Sequence, residues 1–261
     1  MYGKVYHMPF WDAIILGIVQ GLTEFIPVSS SGHLIVVRQF LGINTEGGLA
    51  FDAVLQLATT LAVILYFWKD IWNLRNNWKL IKILIIATIP AVVLGLLLEK
   101  KMETVFRDPK LVTVTLIFGA LLMFVAERIY KSRFVNQNPL TLKRGFVIGL
   151  FQSLALIPGT SRSGSTVSGG LIMGLNREEA TRFSFILSVP ILLGTGAKKL
   201  LEIIKAGSFD GGPALAWGSV TAFVVGLFAI HFLLNYLKKH TLNAFVVYRI
   251  ILAVVLFLFI F

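Results

Sequence analysis

A polar run carrying a cation lies inside one of the most apolar stretches of this chain. Residues 158–166, Pro158-Gly-Thr-Ser-Arg162-Ser-Gly-Ser-Thr166, are flanked by apolar segments within 145–176. Such a run cannot cross hydrocarbon as a regular helix. Its freed backbone groups and its guanidinium need protein, water or a ligand as partners. Hydroxyls, N–H groups and an arginine suit an anion, and arginine can grip a phosphate through two parallel bonds. The alternative for Arg162 is a cation that only packs helices together.

The surroundings make this a membrane problem. The chain has 261 residues, 56% of them apolar, above the ~45–50% of a soluble domain. Several runs approach or exceed the ~18–20 residues that cross a bilayer. The expectation is a multi-pass integral membrane protein, one membrane domain over 1–261. The first apolar stretch is broken by Gln20 and Glu24 and lacks a small-residue cleavage site, so no cleavable signal peptide is expected. With no cysteine, disulfides and thiolate metal sites are excluded. The net charge of +11 is scattered between spans. That pattern suits positive-inside loops and anionic lipid headgroups, and nucleic acid is not expected. Attraction of an acidic substrate is the other reading, and Arg162 favours it.

Taken in order, residues 9–27 read as a helix with Gln20 and Glu24 on one face, stopped by Pro27. A polar turn, Val28-Ser-Ser-Ser-Gly-His33, precedes a second helix from Leu34 to Leu41. The pair is too short to span twice, so a re-entrant hairpin is expected. Residues 44–50 read as a Gly-rich loop. Spans are expected at 51–68, 80–98 and 111–126, joined by basic loops at 69–79 and 100–110. After Asn136-Gln-Asn-Pro139, the stretch 145–176 repeats the helix–polar turn–helix pattern. Spans at 182–195, 213–237 and 245–261 complete the chain.

The halves are related. At a spacing of 132 (149 against 17), Gly149 falls on Gly17, Gln152 on Gln20 and Leu154 on Leu22; Ser161, Ser163 and Gly164 fall on Ser29, Ser31 and Gly32; Phe183 falls on Phe51 and Leu187 on Leu55. Pro158 and Pro27 match with a one-residue slip. The repeats run from about 9–130 and 141–261. One re-entrant hairpin plus three transmembrane helices per repeat gives an odd number of crossings. The expected fold is therefore all-α, with two inverted-topology repeats whose polar tips meet near the midplane.

One tip brings Arg162 and hydroxyls, the other Glu24, Gln20 and His33. A carboxylate in an apolar segment is costly alone. Glu24 is either a divalent-cation ligand or general acid/base, or the partner of a structural ion pair with Arg162. Gln20 can give a carbonyl oxygen to a hard cation, or make a packing hydrogen bond. His33 is a candidate nucleophile or acid/base. Ser29 and Ser30 are a nucleophile candidate or helix caps. Thr160, Ser161, Ser163 and Thr166 are candidate phosphate donors. A helix starting near Ser163–Thr166 would aim its N-terminal N–H groups at the same anion.

Gln20-Gly-Leu-Thr-Glu24-Phe-Ile-Pro-Val-Ser-Ser-Ser-Gly-His33 resembles the first signature of the undecaprenyl-diphosphate phosphatases, a Glu/Gln-x-x-x-Glu element followed by Pro-Val-Ser-Ser-x-Gly-His. Residues 158–166 resemble their second signature, and the likeness covers the whole chain. It implies hydrolysis of a C55 isoprenyl diphosphate to the monophosphate, recycling the lipid carrier of cell-wall synthesis. It also implies bacitracin resistance, because the antibiotic binds the substrate and not the protein. By position, it puts the metal pair for Mg²⁺ or Ca²⁺ on Gln20 and Glu24, the histidine on His33, the serine on Ser30 and the arginine on Arg162. Phosphate contacts are expected from Arg162, Ser161, Ser163, Thr166 and Ser29. The first position of the metal pair is Gln where many relatives have Glu. Localisation is expected in the bacterial plasma (inner) membrane, with the site opening to the outer side. A homodimer is compatible with the sequence. The competing class is a secondary transporter or lipid flippase, which would release no inorganic phosphate.

Overall fold

The computed structural model describes residues 8–43, 48–104, 109–132, 139–206 and 212–260. Within them every regular element is helical. In order these are α1 (Phe10–Phe25), α2 (Ser30–Leu41), α3 (Gly48–Tyr66), α4 (Trp68–Asn73) with a 3₁₀ turn (Leu74–Asn76), α5 (Trp78–Thr104) and α6 (Pro109–Ser132). There follow α7 (Leu142–Ser153) with a 3₁₀ turn (Leu154–Leu156), α8 (Arg162–Ile172), α9 (Arg177–Ala206), α10 (Gly212–Lys239) and α11 (Asn243–Ile260).

Among the described residues, four helical stretches are long and apolar enough to cross a bilayer: Trp78–Leu98, Lys110–Ser132, Arg177–Leu201 and Gly212–Lys239. The pair Phe51–Tyr66 and Trp68–Asn76 passes the same test when taken together as one broken span, with a bend of 72°. In α11 the described apolar stretch, Asn243–Leu258, is shorter. Six spans were expected. The expected spans at 80–98, 111–126, 182–195 and 213–237 each lie within one of these four stretches, while 51–68 is broken at Phe67 and 245–261 falls on α11. All five tryptophans are exposed. Trp11 and Trp217 begin α1 and α10, while Trp68, Trp72 and Trp78 surround the bent segment, as two interfacial belts would place them.

Several expected boundaries are corrected. Helix α2 starts at Ser30 and not Leu34, because Ser29 caps it. Likewise α8 starts at Arg162 and not at 163–166, because Ser161 caps it. The expected basic loop 69–79 is largely helical, since α4 and its 3₁₀ turn fill it with Trp68, Ile71, Trp72 and Leu74. Gly48–Ala50, expected in a loop, open α3, and α5 runs on to Thr104. Residues 44–47, 105–108 and 133–138, expected as parts of connecting loops, lie outside the described residues.

Packing exchanges elements between the halves. Helix α1 runs parallel to α10: a Cβ at Gly17 would strike Gly218 O, and one at Gly21 would come within 2.8 Å of Ala222 O. Helix α7 runs parallel to α5 in the same way, with Gly145 against Ile83 and Gly149 against Ala87. Side chains at Gly17 and Gly149 would force these pairs apart, so small residues set the interhelical distance. Helices α6 and α11 are antiparallel: Glu127 Oε1 accepts from Leu242 N at 2.9 Å at one end, and Val112, Leu116, Ala253 and Leu256 cluster at the other. Helices α3 and α9 are antiparallel too, with Leu57 beside Gly196 and Phe67 beside Phe185. The main core gathers Phe25, Phe67, Ile83, Met123, Ile148 and Phe185 beneath the two polar tips.

Candidate active site at the meeting of two helix tips

The tips share one backbone solution. After Phe25 the chain turns extended at Ile26, and Ser29 takes φ 78° before α2 begins. In the second half Ser161 takes φ 75° before α8 begins. These are the only non-glycine residues with positive φ among those described. That region disfavours L side chains by about 1–3 kcal/mol. Each serine is held there by capping: Ser29 Oγ accepts from Gly32 N at 3.4 Å and Ser161 Oγ from Gly164 N at 3.2 Å. Each also lies beside the serine two residues on, Ser31 at 3.4 Å and Ser163 at 3.2 Å. The capping reading of Ser29 therefore holds, and Ser161 does the same work.

Charge joins the tips. Glu24, 6% exposed, accepts from Arg162 Nη2 at 2.8 Å through Oε1. Its Oε2 accepts from Ser30 Oγ at 2.8 Å and from Gln20 Nε2 at 3.0 Å. Four candidate residues thus form one network spanning both halves. Arg162 Nη1 also donates to Ser184 O at 3.4 Å, and Arg162 Nε is buried without a protein partner. Thr166 Oγ1 bonds the Arg162 carbonyl at 2.8 Å and makes a short bond to Ser184 Oγ, so its hydroxyl faces protein. Ser163 and Thr160 are buried in the second tip, and Thr160 Oγ1 has no protein partner. His33 stands one turn beyond Ser30 on α2, its Nδ1 2.7 Å from Ser29 O and its Nε2 2.7 Å from Tyr248 OH.

Gln20 Oε1, on the amide that donates to Glu24, and Ser165 Oγ, in the first turn of α8, are likewise buried without a protein partner. Buried polar groups are ordinarily satisfied, so such a concentration marks a place built for ligand or water. Among the described residues no three His, Asp or Glu side chains gather as a metal cluster. A cation at this position would have Glu24 and Gln20 Oε1 from the protein. That set suits a hard ion which keeps waters and takes phosphate oxygens as further ligands.

The sequence reading missed Arg249. It is fully buried in α11 and donates to four carbonyls: Gly159 O at 2.6 Å, Leu116 O at 3.1 Å, Pro27 O at 3.3 Å and Thr115 O at 3.4 Å. Pro27 and Gly159 belong to different tips, so one guanidinium ties both. The signal was available, since a charge inside Val246-Val-Tyr-Arg249-Ile-Ile is as conspicuous as Glu24 in α1. Thr115 adds a second tie, donating to Pro158 O at 2.6 Å. Tyr248 and Ser184 had no motif to announce them.

Comparison with known proteins bears on what this network does. Residues 13–255 match the family model described as bacitracin resistance protein BacA. The chain is 41% identical over 276 residues to an undecaprenyl-diphosphatase of Chloroherpeton thalassium, covering 95% of this chain and 96% of that protein. It is 42% identical over 255 residues to an undecaprenyl-diphosphatase of Moorella thermoacetica, covering 94% and 96%. It is 38% identical over 269 residues to one of Pseudarthrobacter chlorophenolicus, covering 96% and 97%. A match over nearly the whole length, with Gln20, Glu24, Ser30, His33 and Arg162 gathered around the two tips, leaves one assignment: the chain belongs to the bacitracin resistance protein BacA family.

Proposed function

We propose that the two tips close on the head group of undecaprenyl diphosphate. The protein is an undecaprenyl-diphosphatase: it yields undecaprenyl phosphate and inorganic phosphate, and so returns the lipid carrier to cell-wall synthesis and confers bacitracin resistance. The observation that carries the active-site reading is the Arg162–Glu24–Ser30 network. It supplies a phosphate-binding cation, a buried base and a hydroxyl within hydrogen-bond reach, drawn from both halves.

In this mechanism the diphosphate takes over Arg162 from Glu24. The guanidinium, with its spare Nε–H, then holds the terminal phosphoryl oxygens as charge builds on them. Ser30 Oγ attacks the terminal phosphorus while its proton passes to Glu24 Oε2. The bond to the bridging oxygen breaks, and undecaprenyl phosphate leaves. Water then attacks the phosphoserine, its proton going to His33 Nε2, and phosphate is released as Ser30 regains a proton from Glu24. Ser29 and Ser161 hold the two bends as caps, and the N-terminus of α8 adds favourable field for the anion. A divalent cation, Mg²⁺ or Ca²⁺, on Glu24 and Gln20 Oε1 would offset charge on the phosphates when bound.

We read the halves as inverted repeats with re-entrant hairpins at α1–α2 and α7–α8. What supports this is the direction of equivalent helices. At a spacing of 132, α6 corresponds to α11 and α3 to α9, and each pair runs antiparallel, as an axis in the membrane plane requires. The first helix of each half lies parallel to the long helix of the other, so the exchange is reciprocal. Both tips come from one chain, so a homodimer would not be needed to complete the site. With the Lys- and Arg-rich side cytoplasmic, the site opens outward across the inner membrane, where bacitracin competes by binding the diphosphate. A transporter would leave the Ser30–Glu24 pair without a task. The test is inorganic phosphate released from undecaprenyl diphosphate by purified protein, with and without EDTA. Stoichiometric phosphate and monophosphate are expected, with loss in EDTA; lipid movement without phosphate release would overturn the reading.

A further inference from the structure

We propose that Tyr248 is a positioning residue for His33, its hydroxyl holding the imidazole so that Nε2 is the nitrogen turned to proton transfer. This rests on the reading that His33 takes a proton during hydrolysis.

The tautomer follows from partners alone. His33 Nδ1 lies 2.7 Å from Ser29 O. A carbonyl only accepts, so Nδ1 carries the hydrogen, and in a neutral ring Nε2 is then the acceptor. Tyr248 OH lies 2.7 Å from that Nε2 and donates to it. The rings are nearly parallel, 9° apart in tilt with centroids 5.7 Å apart, so the ring plane is guided as well as its edge. The other end of the clamp is fixed too: Ser29 O is aimed by the φ of 78° and also accepts from His33 N at 3.1 Å.

The source of Tyr248 matters. It precedes Arg249, whose guanidinium bonds Pro27 O and Gly159 O. One turn of α11 therefore sets the backbone of both tips and the orientation of the imidazole. Tyr248 is 44% exposed and has room to swing aside, uncovering the Nε2 lone pair when substrate arrives. A second tyrosine–histidine pair provides an internal control. Tyr66 OH lies 3.0 Å from His231 Nδ1, His231 Nε2 faces Asn235 at 2.8 Å, and the two residues belong to α3 and α10, not to a tip.

The experiment combines turnover with ¹⁵N spectra of histidine-labelled protein, His33→Gln assigning the His33 signals among the four histidines. Wild type should show His33 as the Nδ1–H tautomer. Tyr248→Phe should move the Nε2 resonance and lower kcat about tenfold, the scale of one lost hydrogen bond, with KM within about twofold. Tyr66→Phe should change neither. Wild-type His33 found as the Nε2–H tautomer overturns the proposal whatever the variants do. Unchanged kcat and Nε2 signal in Tyr248→Phe, with His33→Gln inactive, overturns it alone. Full turnover in His33→Gln overturns the role of His33 itself and the proposal with it.

Discussion

The two tips have one backbone and two chemistries. Ser29 and Ser161 adopt the same positive φ, cap the following helix through the same N–H three residues on, and lie beside a second serine. Yet where the first half has Glu24, the second has Leu156; where the first has Ser30 and His33, the second has Arg162 and Ser165. Only one carboxylate and one arginine remain between them, and they bond each other. On the proposed repeat, duplication would provide a pair of bends that meet, and divergence would give one bend the proposed base and hydroxyl and the other the cation. A symmetric pair could not do this work, because phosphoryl transfer needs a nucleophile on one side of phosphorus and positive charge around it.

The largest effects should come from breaking the pair that joins the tips. Glu24→Ala removes the proposed base and strands a buried guanidinium, and turnover should fall at least ~10³-fold. A double-mutant cycle of Glu24→Gln with Arg162→Met, read as rate of phosphate release, should be strongly non-additive, since the two act as one unit. Additive losses would mean that the tips work separately.

Next is the tie that holds the bends together. Arg249→Met removes donors from carbonyls of both tips and should cost about 3 kcal/mol in stability, as loss of a buried charged hydrogen-bonding group does. It should lower turnover without touching substrate. Thermal unfolding in detergent measures the first, phosphate release the second.

The sequence marked the polar residues that the fold gathers at the tips but not what holds them there. Glu24, His33 and Arg162 stand out because charge and polarity inside apolar runs are expensive, and the register of the repeat links the two serine turns. Arg249 carried the same signal, although its helix holds no motif. Tyr248 had no signal, because a tyrosine in an apolar helix is ordinary until the fold brings it to an imidazole 215 residues away. Secondary structure was legible in the long apolar runs and less so at their ends. Basic residues in 69–79 read as loop, while Trp68, Ile71 and Trp72 made helix of it. The two caps shifted α2 and α8 to earlier starts, since a serine at φ near 75° is a tertiary outcome that propensity does not encode.

Smaller effects test how alike the bends are. Ser29→Ala and Ser161→Ala each lose a cap while keeping an unfavourable φ, and each should cost about 1 kcal/mol. Replacement by Gly at either site should be milder, because glycine accepts positive φ freely. Urea or thermal unfolding of all four variants should give matched pairs; a large disparity would break the structural equivalence. The smallest shift should come from Gln20→Glu against its mate Gln152→Glu. A second carboxylate beside Glu24 should tighten the cation requirement several-fold in titration after EDTA, and Gln152→Glu, which has Leu156 and not a carboxylate four residues on, should not.

The most direct test of two tips acting on one head group is the rate of phosphate release from undecaprenyl diphosphate by Arg162→Ala in detergent. Losing this cation from the second tip should lower turnover at least ~10²-fold while the first tip keeps all its residues. Wild-type turnover in Arg162→Ala would contradict the account, because the first tip alone would then suffice for the chemistry.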